Sequence, residues 1–123
     1  MKITCGTDVI EIARIKESIE KSGETFLKKI YTQAEINYCK GKRNSMYQHY
    51  AARFAAKEAI FKAISCYLKE KFEITWTDVE ITNEQDGKPK VHFLQKEIPN
   101  VNIDLSISHC QNYAVATVIA IKE

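Results

Sequence analysis

RFAAKEAIFKAI, residues 53 to 64, is the stretch whose reading decides the fold. Its apolar residues cover nearly every side of a helical wheel, as in a helix buried all round, yet it carries Arg53, Lys57, Glu58 and Lys62. The surrounding sequence from Ser45 to about Lys71 has no Gly or Pro and is rich in Ala, which predicts the longest helix of the chain and a central one. With Arg53 at zero on a wheel of about 100° per residue, Lys57 falls at about 40°, Glu58 at about 140° and Lys62 at about 180°. The four charges therefore form two pairs on separate stripes. Glu58 and Lys62 stand in the favourable order for an i,i+4 ion pair, worth about 0.2–0.5 kcal/mol when exposed. The competing reading gives Glu58 a hard cation and turns Lys62 toward a phosphate that the same cation touches. Mg²⁺ is usually held by one or two carboxylates, with phosphate oxygens and waters completing its shell, so a second acidic side chain from another element is needed. Asp8 is the candidate, although its place near a strand-to-helix junction equally suits an N-cap.

The elements on either side give the helix something to pack on. Residues 2 to 9 read as a short strand containing Gly6, after which Ile12, Ile15 and Ile19 recur at helical spacing until Ser22-Gly23. Glu24 to Ile30 is a second short helical stretch, and Thr32-x-x-Glu35 is a capping box opening a helix to about Lys40, ended by Gly41. After Phe72 the pattern turns to alternation, with Val79 to Thr82 and Val91 to Phe93 joined by a loop holding Asp86-Gly87-Lys88-Pro89. The last third gives two further strands around His109 to Asn112, with Ile103, Leu105 and Ile107 alternating against Asp104, Ser106 and Ser108. Helices followed by antiparallel strands imply an α+β fold, its helices packed on one face of a small, mainly antiparallel sheet.

Composition narrows the function classes. The chain has 123 residues, a length that fits one domain over residues 1–123. With 45% hydrophobic and 28% charged residues it reads as a folded globular protein, and no run approaches the roughly 20 apolar residues a membrane helix needs. A net charge of +2 is too small to argue for nucleic acid, and an RNA-binding reading built on the basic run at 40 to 43 with Tyr47 or Tyr50 lacks an aromatic sheet motif. Cys5, Cys39, Cys66 and Cys110 have no metal-ligand spacing and read as reduced thiols. The N-terminal segment has no signal-peptide pattern, so the expected compartment is the cytoplasm.

Two stretches go further. GTDVIEIARI (6 to 15) and RFAAKEAIFKAI (53 to 64) resemble the two signature motifs of the holo-[acyl-carrier-protein] synthase family, the small 4'-phosphopantetheinyl transferases, and the likeness continues through DGKP (86 to 89) and SISH (106 to 109). The resemblance implies the 4'-phosphopantetheinyl transferase fold and transfer of that group from coenzyme A to a serine of an acyl carrier protein, with release of adenosine 3',5'-bisphosphate. It implies Mg²⁺ held by Asp8 and Glu58, with Lys62 facing the pyrophosphate. Phosphoryl transfer asks the protein mainly for positioning and charge neutralisation, which these three residues would supply. The acceptor of the serine proton stays open among a bound water, Glu58 through a water, and a carboxylate of the carrier.

The rest of the substrate needs its own contacts. Arg53, with Lys42 or Arg43, would meet the 3'-phosphate of coenzyme A, and Ser108 and His109 would hydrogen-bond the same group, as at the nucleotide end of the family's site. A solvated basic loop and a structural histidine are the plainer readings of Lys42, Arg43 and His109. Gly87 and Pro89 lie in a tight turn whose backbone would approach the adenine, and hairpin chemistry alone also accounts for them. Arg14 and the lysines at 16 and 21 line the first helix and would steer an acidic carrier protein, against the plainer reading of a solvated face. The resemblance further implies a homotrimer with active sites between subunits. The rival function is a coenzyme A or nucleotide-binding module without transfer activity, which the complete set of Asp8, Glu58 and Lys62 argues against.

Overall fold

The computed structural model describes residues 1–70, 73–96 and 98–123. Strand β1 (Lys2–Glu11) leads into helix α1 (Ile12–Ile30), followed by α2 (Gln33–Gly41), α3 (Met46–Ile64) and four strands, β2 (Val79–Asn83), β3 (Pro89–Phe93), β4 (Val101–His109) and β5 (Tyr113–Lys122). All pairings are antiparallel, as expected, but the strands form two sheets: β1-β5-β4, and the hairpin β2-β3.

Helix α3 is the axis of the molecule. One apolar cluster gathers Ala55, Ala59, Ile60 and Ala63 with Leu105, Ala116 and Val118 of the larger sheet and with Val79 and Ile81 of the hairpin. A second joins Tyr50, Ala51 and Ala52 of the same helix to Ile12, Ile15, Leu27, Ile30 and Ile36. Buried on nearly every side, α3 has small residues where it meets β1. There Thr4 Oγ1 donates to the Ala63 carbonyl at 2.6 Å, and a Cβ on Gly6 would fall 2.1 Å from the Ala59 carbonyl oxygen. Only glycine lets strand and helix approach this closely.

Alternation along the strands sorts the larger sheet into two faces. Gly6, Asp8 and Ile10 of β1 share the face toward α3 with Ala114, Ala116 and Val118 of β5, as their register requires. The opposite face carries Ile3, Val9, Tyr113 and Ile119, all exposed and large.

Three expectations change in detail. The long helix ends at Ile64 rather than near Lys71: Ser65 Oγ donates to the Lys62 carbonyl at 3.2 Å, a 3-10 turn covers Ser65–Tyr67, and Leu68 is extended. A serine hydroxyl competing for backbone carbonyls, with apolar Leu68 drawn onto the core, stops a helix that composition alone would continue. The end at Lys71 itself lies outside the described residues. The break at Ser22-Gly23 is a kink inside α1, where Gly23 takes φ 52° and ψ −129°. Strand β1 runs on to Glu11, which occupies the N-cap of α1 without a side-chain cap bond, so Asp8 is a strand residue and caps nothing.

Candidate active site

Two stripes of α3 lead to two different places. On the first, Lys62 extends Nζ across β1, donating to the Thr7 carbonyl at 2.9 Å and to Asp8 Oδ1 at 3.2 Å. Lys62 therefore pairs with Asp8, instead of the Glu58 suggested by helical spacing. Glu58 is half-buried, and its carboxyl is pushed above the usual range, first by burial and then by the negative charge of Asp8, with Lys62 acting in the opposite direction. Two carboxylates and one ammonium thus meet between β1 and α3.

This donor set fits a hard divalent ion. Among the described residues no group of three or more His, Cys, Asp or Glu side chains is placed to hold a metal. Asp8 and Glu58 would supply two oxygen ligands and leave the other positions of an octahedral ion to phosphate and water, which is the usual Mg²⁺ arrangement. The mutual repulsion that raises Glu58 is what such an ion would relieve. Next to the two α3 residues opens a cavity of about 480 Å³, walled by Phe61, Leu68, Ile74 and Trp76.

The other stripe behaves differently. Lys57 on this stripe is wholly buried. Its Nζ donates to Glu35 Oε1 at 2.7 Å, to the Ile30 carbonyl at 2.8 Å and to the Trp76 carbonyl at 2.9 Å. Glu35 also accepts from Thr32 N and from Ile81 N, both at 2.8 Å. The capping-box glutamate is thus the partner of a buried lysine. Burial lowers the Lys57 pKa, and Glu35 opposes the shift.

Arg53, one turn earlier, is 3% exposed. Its guanidinium lies 4.1 Å from the centroid of the Tyr38 ring, Nη2 donates to Asn83 Oδ1 at 2.7 Å, and Nε is buried without a partner. Asn83 in turn donates to the Gly87 carbonyl at 3.1 Å, tying Arg53 to the turn before Pro89, where Gly87 has φ 91°. Lys42 lies over the same Tyr38 ring at 4.8 Å, and the ring of His49 stands 5.6 Å from Tyr38 and 5.7 Å from His109. Burial, then the charges of Lys42, Arg53 and His109, lower His49 to about 4.

The structure thus brings Arg53, Lys42 and His109 together and links them to Gly87 and Pro89. It does not place the Ser108 side chain with them, since Ser108 pairs with Val115 and faces the other side of the sheet from His109. Arg43 is exposed in the 3-10 turn Arg43–Ser45, with φ 52°. Arg14, exposed on α1, lines a groove of about 320 Å³ with Ser18, Lys21, Phe26 and Phe54. Tyr38 and Asn83 escape a sequence reading because they become neighbours of Arg53 only through tertiary packing, whereas His49, four residues before Arg53 on α3, carried a signal in its i,i+4 spacing. For Glu35 a signal existed, but its capping role hid the buried pair.

The fold sets helices on antiparallel sheets and brings two carboxylates and a lysine to one place and a cationic cluster to another, a set of groups with the chemistry to meet a phosphate-rich ligand. The model of the 4'-phosphopantetheinyl transferase superfamily matches residues 4–118. The chain is 44% identical over 116 residues to a holo-[acyl-carrier-protein] synthase of Thermodesulfovibrio yellowstonii, covering 93% of this chain and 94% of that one. It is 42% identical over 125 residues to the synthase of Koribacter versatilis, covering 97% and 98%. Among solved structures, a Bacillus anthracis holo-(acyl-carrier-protein) synthase in complex with CoA (3',5'-ADP) superposes with a TM-score of 0.82 at 34% identity, over 98% of this chain and 96% of that one. An ACPS-CoA complex from Chronobacterium ammoniagenes superposes with a TM-score of 0.84 at 26% identity, over 100% and 99%. The chain belongs to the 4'-phosphopantetheinyl transferase superfamily and, within it, to the holo-[acyl-carrier-protein] synthase family.

Proposed function

We propose that this enzyme moves the 4'-phosphopantetheine group of coenzyme A onto a serine of an apo-acyl carrier protein, in a Mg²⁺-dependent reaction that releases adenosine 3',5'-bisphosphate. The observation that carries this reading is the meeting of Asp8 and Lys62 beside Glu58, from a strand and a helix far apart in sequence. Asp8 and Glu58 would hold the ion, and when bound it would neutralise pyrophosphate oxygens of the substrate. The carrier serine Oγ gives up its proton to a water or a nearby carboxylate and bonds to the phosphorus that bears pantetheine, while the bond from that phosphorus to the bridging oxygen breaks. The Lys62 ammonium, exposed enough to leave Asp8 for a ligand, stabilises the negative charge left on that oxygen. The apolar cavity along Phe61, Leu68 and Trp76 suits the pantetheine arm.

Arg53, Lys42, Arg43 and His109 serve the 3'-phosphate in this reading, and the turn at Gly87 and Pro89 serves the adenine. Arg53 and Lys62 point about 180° apart around α3, which supports a coenzyme A lying across two copies of the chain. The exposed apolar face of the larger sheet, with Ile3, Val9, Tyr113 and Ile119, supports self-association, and a trimer with sites between subunits is the arrangement we propose. Arg14 and Lys21 beside their groove would dock the acidic carrier. No described helix is long and apolar enough to cross a membrane, and the four cysteines are free, in keeping with a cytoplasmic role in fatty acid biosynthesis.

Mass spectrometry of apo-carrier protein incubated with the enzyme, coenzyme A and Mg²⁺ tests the activity. The expected result is a gain of one phosphopantetheine that disappears with chelator. Tight coenzyme A binding with no gain on any carrier would instead establish the binding-module reading.

A further inference from the structure

Arg53 is an unusual group to leave inside a protein. Its side chain is almost completely covered, yet among the described residues no carboxylate pairs with it and one of its donors, Nε, has no partner. A buried unsatisfied donor on a charged group is costly unless a ligand completes it. What holds the guanidinium among the described residues is the face of Tyr38 at 4.1 Å on one hand and the hydrogen bond that Nη2 donates to Asn83 Oδ1 on the other. The same ring faces Lys42 at 4.8 Å, so one aromatic on α2 carries two cations from two different segments. Their mutual repulsion is offset in part by the electron-rich ring and would be offset further by an anion arriving between them.

We infer that Tyr38 is a positioning residue for the substrate's 3'-phosphate: its ring stacks Arg53 and Lys42 into one dianion-binding clamp that it never touches with a polar atom. The inference rests on the reading that Arg53 serves the 3'-phosphate. The aromatic chain continues from Tyr38 through His49 to His109, placing a third candidate contact on the same assembly. The proton affinity of His49 in the same place is lowered first by burial and then by the positive charges of Lys42, Arg53 and His109. Tyr38 is only half-buried and its ring, rather than its hydroxyl, makes these contacts, so Phe should serve in its place where Leu does not.

The test compares coenzyme A with dephospho-coenzyme A, which lacks only the 3'-phosphate, as substrates for the wild type, Tyr38→Leu and Tyr38→Phe. The ratio of kcat/KM for the two substrates should be large in the wild type, fall about tenfold in Tyr38→Leu through a higher KM for coenzyme A, and be restored in Tyr38→Phe. A large wild-type ratio that Tyr38→Leu retains overturns the role of Tyr38 while leaving the Arg53 reading in place. A wild-type ratio near one overturns both. NMR of the wild-type protein gives a second measurement should the Leu variant fail to fold. The Arg53 Nε–H resonance should sit upfield from ring current in the free protein and move downfield on saturation with adenosine 3',5'-bisphosphate. A resonance at the ordinary arginine position that stays there on saturation overturns the inference.

Discussion

Lys62 shows how helical spacing and tertiary packing can offer one side chain different partners. Helical spacing offers Glu58, four residues back, but the lysine instead reaches across to β1 and takes Asp8 and the Thr7 carbonyl. Spacing within a helix says which residues share a stripe and nothing of the strand laid beside it. Replacing Lys62 with Met keeps the stem and removes the charge proposed to face the leaving oxygen. Turnover should fall by about 10²- to 10³-fold, the usual effect of losing one electrostatic donor, with little change in melting temperature. A steady-state assay showing wild-type kcat would remove Lys62 from the mechanism.

His49 makes a different prediction, because its proton affinity is set by burial and by Lys42, Arg53 and His109. The group falls from its ordinary 6.5 to about 4 in the fold, so between these values the unfolded chain binds more protons than the native one. Its contribution to stability is therefore complete above about pH 6.5 and is lost as pH falls toward 4. The urea midpoint of the wild type should drop between pH 7.5 and pH 5, and His49→Gln should drop less. Equal slopes in the two proteins would place the acid sensitivity elsewhere. Helical spacing announces only Arg53, four residues on, while the burial and the contributions of Lys42 and His109 come from chain segments brought together by the fold.

At the scale of elements, the periodicities were legible where one principle governed. The capping box at Thr32 forms as read, with Glu35 Oε1 accepting from Thr32 N at 2.8 Å and Glu35 N donating to Thr32 Oγ1 at 3.3 Å. The two C-terminal hairpins follow the alternation of their strands. What stayed hidden were features made by several elements together. The Lys57–Glu35 pair holds the end of α1, the start of α2, α3 and β2 through one ammonium and one carboxylate, and no local pattern encodes that convergence. A lysine at helical spacing looks like any other charge until its surroundings close over it. Removing the ammonium by Lys57→Met would leave Glu35 charged and buried, at a cost of about 3–5 kcal/mol. Urea unfolding should show this loss, with a smaller one for Lys57→Met/Glu35→Gln, in which the stranded charge is also gone. A double variant as unstable as the single would mean that lost packing, rather than stranded charge, sets the cost.

For the whole molecule, the decisive fact is that α3 turns one end of the proposed substrate site to each of two sides. Glu58 and Lys62 meet Asp8 on one stripe, while Arg53 is enclosed with Tyr38 and Asn83 on another. The wheel already contained that division, but as a property of one helix it did not say where the missing half of each site lies. The exposed Ile3, Val9, Tyr113 and Ile119 give the larger sheet a face on which another copy can pack, and the trimer proposed above would join the proposed metal end of one chain to the proposed nucleotide end of its neighbour. Two variants, each inactive alone, separate this arrangement from a site confined to one chain. Arg53→Ala spoils only the nucleotide end, and Glu58→Gln only the metal end. When the two are co-expressed at equal levels, random assembly makes about a quarter of the interfaces from an intact Arg53 side and an intact Glu58 side, so activity should return to about that fraction of wild type. The same mixture of Asp8→Asn and Glu58→Gln should distinguish partners further: activity stays absent if both carboxylates belong to one chain's metal end, as the 3.2 Å bond from Lys62 to Asp8 within the protomer implies. A mixture of Arg53→Ala and Glu58→Gln that stays as inactive as its components, while sedimenting as the wild type does, would place both ends of the substrate on a single chain.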